Sequence, residues 1–226
     1  MAKTYAIAID GPAGAGKSTI AKRLAKELGF QYVDTGALYR TVAYFLDLLG
    51  ISPKDVDGVE RYIDELNVEI EYDDDGLQHM IMNGMDVSKD IRTQDISQKA
   101  SLVSAHAVVR DALLDMQRNV AKNYNVIMDG RDIGTVVLPK ADVKIFLTAS
   151  AEVRAKRRTD ELLAKGQTAV FETVLKEIEQ RDYQDTHRPI APLKMAKDSV
   201  KLDTSDLDID GVVAAMRKII SEKIPV

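Results

Sequence analysis

Residues 11–19 read GPAGAGKST, and the residues on either side decide what they build. Tyr5–Ile9 is a short apolar run that ends at Asp10, and a helical pattern of apolar residues runs from Lys17 through Leu28. Gly11-Pro12-Ala13-Gly14-Ala15-Gly16-Lys17-Ser18 matches G-x-x-x-x-G-K-[ST] at every fixed position, between a strand and a helix as the motif requires. Glycines let successive backbone N–H groups converge on phosphate oxygens where a Cβ would obstruct them. The helix that follows turns its positive end toward the same point. Lys17 is suited to the β- and γ-phosphates and the Ser18 hydroxyl to Mg²⁺, and with Thr19 the stretch predicts a nucleoside triphosphate site.

Working outward, FQYVD at 30–34 forms a second strand, and an apolar helix opens at Gly36 and reaches about Leu49, where Ser52-Pro53 stops it. A shorter helix covers 55–65. NVEIEY at 67–72 alternates apolar and polar residues as a half-buried strand does, and LQHMIM follows a turn at Asp73–Gly76. With Asn83-Gly84 marking another tight turn, this is a small antiparallel insert in an otherwise alternating chain. Helical patterns resume from Thr93 to about Lys122, as one or two helices. Strands at 125–129, 143–147 and 199–203 are separated by helices at about 151–164 and 170–186. A last amphipathic helix carries Ile209, Val212, Val213, Met216 and Ile219. Strands alternating with helices predict a three-layer α/β fold around a mainly five-stranded parallel sheet.

The chain of 226 residues has no cysteine, which excludes disulfides, thiolate nucleophiles and cysteine-based zinc sites. A net charge of −5, from 36 acids against 31 bases, argues against a general nucleic-acid binder. The apolar N-terminal stretch is too short for a signal peptide core, and no apolar segment is long enough to cross a bilayer, so a cytoplasmic protein is expected. His79, His106 and His187 are scattered without ligand-like spacing.

The phosphate motif leaves open a small-molecule kinase, a nucleotide-driven switch or motor, and a non-enzymatic nucleotide-binding module. No N-K-x-D guanine reader occurs late in the chain, and the strand at 125–129 ends in Asp129-Gly130 where a motor would carry paired acids. Both absences favour the kinase. A kinase that phosphorylates a phosphate must bring two polyanions together, which calls for arginine forks. Arg40 lies one helical turn past Asp34-Thr35-Gly36, and Arg131 lies just past the carboxyl end of a core strand, where ligands of open α/β sheets gather. Arg154, Lys156, Arg157 and Arg158 crowd one helix, as either a solvated face or a lid whose arginines close over the transferring group. Arg181, Asp185 and Arg188 share one helical face if that helix lasts long enough, where an intrahelical ion-pair ladder is the plainer reading.

GPAGAGKST, DTGALYR at 34–40, IRTQ at 91–94, DGRDIGT at 129–135 and RPIAPL at 188–193 together resemble the bacterial cytidylate kinases. They stand in that family's order and spacing over nearly the whole chain. DTGALYR with DGRDIGT is the specific part; the phosphate motif alone is not. The resemblance implies transfer of the γ-phosphoryl of ATP to CMP or dCMP with Mg²⁺, by a monomer with no nucleic-acid or membrane partner. It implies one P-loop kinase unit, with a core at about 1–35, 106–150 and 190–226. A monophosphate-binding part holding the insert would span about 36–105, and a helical lid about 151–189. It further implies that Ser101, Arg110 and Asp132 face the cytosine, and that Thr35, Arg40, Arg131 and Arg188 hold the monophosphate or meet it on closure. Arg181 and Asp185 would lie near ribose and phosphate, Gly130 at the acceptor edge. Asp129 would orient metal-bound water. Lys17, Arg131, Arg154, Arg157, Arg158 and Arg188 form the expected catalytic set.

The residue types suit the base. Cytosine accepts at O2 and N3 and donates from its amino group, so an arginine and a carboxylate are complementary to it. Uracil reverses the pattern at N3 and position 4, and a site built on hydrogen bonds rejects the wrong pattern by roughly 10⁴-fold. Without the resemblance, a mutual salt bridge between Arg110 and Asp132 is the competing explanation.

Overall fold

A computed structural model describes residues 3–225. Five parallel strands, β1 (Ala6–Asp10), β2 (Gln31–Asp34), β6 (Val126–Gly130), β7 (Val143–Thr148) and β8 (Val200–Asp203), form the main sheet in the order β2-β6-β1-β7-β8. Along β1, Ile7 and Ile9 face one layer and Ala8 the other, as the two-residue strand period demands. The first layer is made by α1 (Lys17–Leu28) and α8 (Ile209–Ser221), whose Ile20, Leu24, Val213 and Met216 pack on Ile7, Ile9, Ile127 and Ile145. On the opposite face, α5 (Ala107–Asn123) and the turn at Ile133–Val137 cover Ala8, Val33, Val126 and Met128. The three-layer fold expected from the sequence is present.

The insert is also present. β3 (Val68–Tyr72), β4 (Gln78–Met82) and the two-residue β5 (Met85–Asp86) make an antiparallel sheet. Met80 and Met82 enter an apolar cluster with α2 (Thr35–Leu48) and α4 (Gln94–Val103). Gln78 anchors the insert to the main sheet: its Oε1 accepts from the Asp34 amide at 2.7 Å, occupying the open edge of β2. Between 55 and 65 the expected helix splits into α3 (Val56–Tyr62) and a 3₁₀ turn at Ile63–Glu65. From Thr93 there are two helices, α4 and α5, parted by the non-helical His106. α6 (Ala151–Ala164) and α7 (Phe171–His187) pack on one another through Ala155, Leu162, Val174 and Ile178, a cluster separate from the sheet's core.

Candidate active site

Every parallel strand of the central trio delivers its carboxyl end to one place. β1 runs into the glycine-rich loop, β6 into Arg131 and Asp132, and β2 into Asp34 and α2. The cavity there measures about 220 Å³ and is lined by residues from the loop, α2, α4, β6 and α7. A second hollow beside the insert measures only about 10 Å³, so the first is the place with room for a ligand.

The loop explains its own glycines. A Cβ on Gly11 would stand 1.9 Å from the Leu147 carbonyl oxygen, so only glycine lets the chain leave β1 against β7. Gly16 caps α1 at φ +89°, the left-handed region that glycine enters without strain. Lys17 opens α1 and is buried, with Nζ donating to the Pro12 carbonyl at 2.8 Å. Burial, reinforced by the Arg131 charge, pulls its ammonium down to about 7.

Ser18 Oγ donates to Asp129 Oδ2 at 2.8 Å, which joins the two expected metal-side groups. Tyr32 OH donates to Asp129 Oδ1 at 2.9 Å, so the carboxylate is oriented from two sides. Burial, with Asp34 adding repulsion, raises the Asp129 carboxyl above the usual range. Gly130 is needed for close approach, since a Cβ would lie 2.7 Å from both Thr35 Oγ1 and Ile133 Cδ1. Thr35 itself donates to the Asp129 carbonyl at 2.7 Å.

Asp34 caps α2 by accepting from the Ala37 amide at 3.0 Å and pairs with Arg40 at 2.9 Å. Arg131 pairs with Asp185 at 2.6 Å. Burial works against both members of that pair, and the pairing overcomes it, holding Asp185 low and Arg131 high. Arg181 projects from α7 into the same region. Burial, then repulsion from Arg131 and Arg40, lowers it to about 10. The Nε atoms of Arg40 and Arg181 are both enclosed and find no partner among the described residues. The ladder within 181–188 does not form: Asp185 turns to Arg131 and Arg188 to Asp132.

Asp132 is buried between two guanidiniums, with Arg110 on Oδ2 and Arg188 on Oδ1 at 3.0 Å. Burial nonetheless raises its carboxyl above the usual range. The Arg110–Asp132 bridge, the plainer sequence reading, is thus real; Asp132 lines the cavity with Tyr39, Ser101 and Ser104, while Arg110 is buried and does not line it. Arg188 also donates to Ser104 Oγ at 3.2 Å, so it stands on the Asp132 side of the cavity.

The three α6 arginines part company. Arg154 is buried and reaches back to the loop: Nη1 donates to the Ala13 carbonyl at 3.1 Å, and Asp182 holds its fork at 3.0 and 2.5 Å. Arg157 donates to Thr204, at 3.1 Å to Oγ1 and 2.6 Å to the carbonyl. Arg158 pairs with Glu161 on the helix surface at 2.9 Å. None of the three lines the cavity, and neither does the exposed Thr19.

A family model for cytidylate kinase matches residues 7–222. The chain belongs to the cytidylate kinase family. It is 47% identical over 220 residues to the cytidylate kinase of Leuconostoc mesenteroides, covering 97% of this chain and 98% of that one. To the cytidylate kinase of Carboxydothermus hydrogenoformans it is 49% identical over 217 residues, covering 96% and 97%. Among solved structures, an uncharacterized protein from Eubacterium ventriosum superposes with a TM-score of 0.51 at 15% identity, covering 97% of this chain and 99% of that one; this likeness concerns the fold alone.

Several polar groups of this cytidylate kinase site escaped sequence reasoning. Tyr39 sits inside the quoted DTGALYR, and Arg110 lies over its ring at 5.6 Å. Ser104 is one helical turn from Ser101. Asp182 is the residue after Arg181, and Asp10 ends the strand that opens the motif. Only contacts across the fold distinguish these from ordinary surface or strand-end residues. The histidines lie elsewhere: His79 between Asp73 and Asp86, His106 on the Pro53 carbonyl, His187 stacked on Tyr183.

Proposed function

We infer that this chain transfers the γ-phosphoryl group of ATP to CMP or dCMP, giving ADP and CDP or dCDP. The observation that carries the inference is a gathering of like charge. Lys17, Arg131, Arg181 and Arg40 crowd one cavity, and two enclosed Nε donors have no partner among the described residues. Enclosed cations repel one another and lose hydration, and a polyanion offsets both costs.

In this scheme the loop amides and Lys17 hold the donor's phosphates. Arg40, Arg131 and Arg181 hold the acceptor's phosphate, with Thr35 fixing the Asp129–Gly130 backbone beneath them. The acceptor oxygen is already anionic, so no strong general base is required, and positioning with charge stabilisation lowers the barrier. Asp132 and Arg110 read the base, with Ser101 beside them. Asp132 accepts from the cytosine amino group and Arg110 donates to its acceptors, so both exchange part of their mutual pairing for the base. Arg188 steadies Asp132, and Asp185 steadies Arg131 near the ribose.

The Ser18 hydroxyl and Asp129 carboxylate are hard oxygen donors, which suits Mg²⁺. Among the described residues no cluster of three or more acidic, His or Cys side chains could cage a metal, as befits an ion that takes most of its ligands from phosphates and water. Bound there, Mg²⁺ would neutralise charge on the transferring group. The α6–α7 pair, with its own apolar cluster, serves as the lid. Arg154 is its contact with the loop, and Arg157 and Arg158 are further closing charges. On this reading the chain acts as a monomer in the cytoplasm; no described helix is long and apolar enough to cross a membrane.

Incubation with Mg·ATP and CMP should yield ADP and CDP one for one. ADP without CDP would point to a hydrolase, and no turnover at all to a binding module; either result removes the assignment.

A further inference from the structure

Asp10 closes β1 one residue ahead of the phosphate loop, and the scheme above gives its side chain no task. The carboxylate is only 4% exposed. Its Oδ1 accepts from the Ile133 amide at 2.7 Å and its Oδ2 from the Gly134 amide at 2.7 Å. These are the two amides that directly follow Asp132. From the other side, the Asp132 carbonyl accepts from the amides of Val136 and Val137 at 2.8 and 3.2 Å. The backbone on the C-terminal side of Asp132 is therefore fastened by the turn's own bonds and by Asp10. In the sheet, Asp10 stands in register with Gly130, so one residue joins the origin of the loop to the origin of the base-facing turn.

We propose that Asp10 is a positioning residue that holds Asp132 in register with the phosphate loop and so sets discrimination between cytosine and other bases. The proposal rests on the reading of Asp132 as a base contact. Two converging N–H donors need two acceptor atoms, and a carboxylate has two. An amide has one, and would aim its NH₂ group at an N–H. Burial works against the charge, pushing the Asp10 carboxyl up to about 6, while the two amides and Lys17 favour ionisation.

The test compares kcat and KM for CMP and UMP in Asp10→Asn and Asp132→Asn, with thermal unfolding of each. Asp10→Asn should raise KM for CMP about tenfold and cut the CMP-over-UMP ratio of kcat/KM about tenfold, with a smaller change in KM for ATP. If Asp132→Asn cuts the preference by about 10²-fold while Asp10→Asn keeps the native ratio and merely unfolds earlier, Asp10 is structural and the proposal falls. If Asp132→Asn keeps the preference, the base reading fails and the proposal with it. Should Asp10→Asn not fold, Gly134→Ala carries the test. Its new Cβ would stand 3.2 Å from both Asp10 Oδ2 and Lys144 Cδ and crowd the turn while sparing the carboxylate. It should lower the same ratio, and an unchanged ratio would overturn the proposal.

Discussion

In the proposed scheme the donor side of the cleft is one run of nine residues, Gly11–Thr19, whose backbone forms the cradle. In that scheme the acceptor side is assembled from side chains spread from Thr35 to Arg188, borne on α2, α4, β6 and α7, with Arg110 of α5 joined through Asp132. The first depends on glycines that let main chains approach, the second on ion pairs that meet only after folding. A cradle made of backbone tolerates side-chain change away from its glycines, Lys17 and Ser18. A reader made of paired charges does not, because removing one member leaves the other buried and unmatched.

Substitutions break this contrast to different depths. The largest effect is expected from Lys17→Ala, which should lower kcat by about 10³-fold with every acceptor, since the proposed role of the lysine is toward the phosphates alone. Steady-state rates with CMP and UMP check this, and normal turnover would undo the phosphate-transfer scheme. Next comes Asp132→Asn, expected to reduce the CMP-over-UMP ratio of kcat/KM by about 10²-fold while KM for ATP moves little. Smaller again is Arg181→Met, which should raise KM for CMP about tenfold. Because this arginine is lowered by burial and by its cationic neighbours, its loss should leave the unfolding temperature of the ligand-free protein unchanged or higher. A fall in both affinity and stability would show that Arg181 is a scaffold residue.

The smallest effect is protonic. Lys17 lies at about 7 in the fold against an ordinary 10.5. Between those values the unfolded chain binds the extra proton, so this group's contribution to stability rises with pH across that window. Below about 7 the full cost of burying the charge is present. A bound polyphosphate favours the ammonium, so ATP binding near pH 8 should take up as much as about one proton. Calorimetry in two buffers of different ionisation enthalpy measures it, and the Lys17→Ala protein should show none.

The same contrast explains what could be read before folding. GPAGAGKST could be read because its chemistry is contiguous, and the strands because their two-residue period survives in isolation. The insert was legible from the alternation at 67–72 and from the turn at Asn83-Gly84. The helix expected at 151–164 falls on α6 as observed. Of the proposed acceptor site, Arg40 and Arg131 were legible from their places past strand ends, and the rest only through family resemblance. Nothing local distinguishes Arg154, which reaches the Ala13 carbonyl, from Arg158, which meets only Glu161. Asp10 looked like a strand end because its partners, Ile133 and Gly134, lie far along the chain. The need for glycine at 130 comes from the approach of Thr35 and Ile133, which only the fold brings together.

The central claim is that the gathered charges form a reader for cytosine nucleotides beside a generic phosphate cradle. Initial rates of diphosphate formation with Mg·ATP and CMP, dCMP, UMP, AMP or dTMP, at matched concentrations, test it most directly. CMP and dCMP should be converted, with CMP preferred over UMP by a kcat/KM ratio of about 10³ or more. Comparable rates for UMP or AMP, or no CDP at any Mg·ATP concentration, would contradict it.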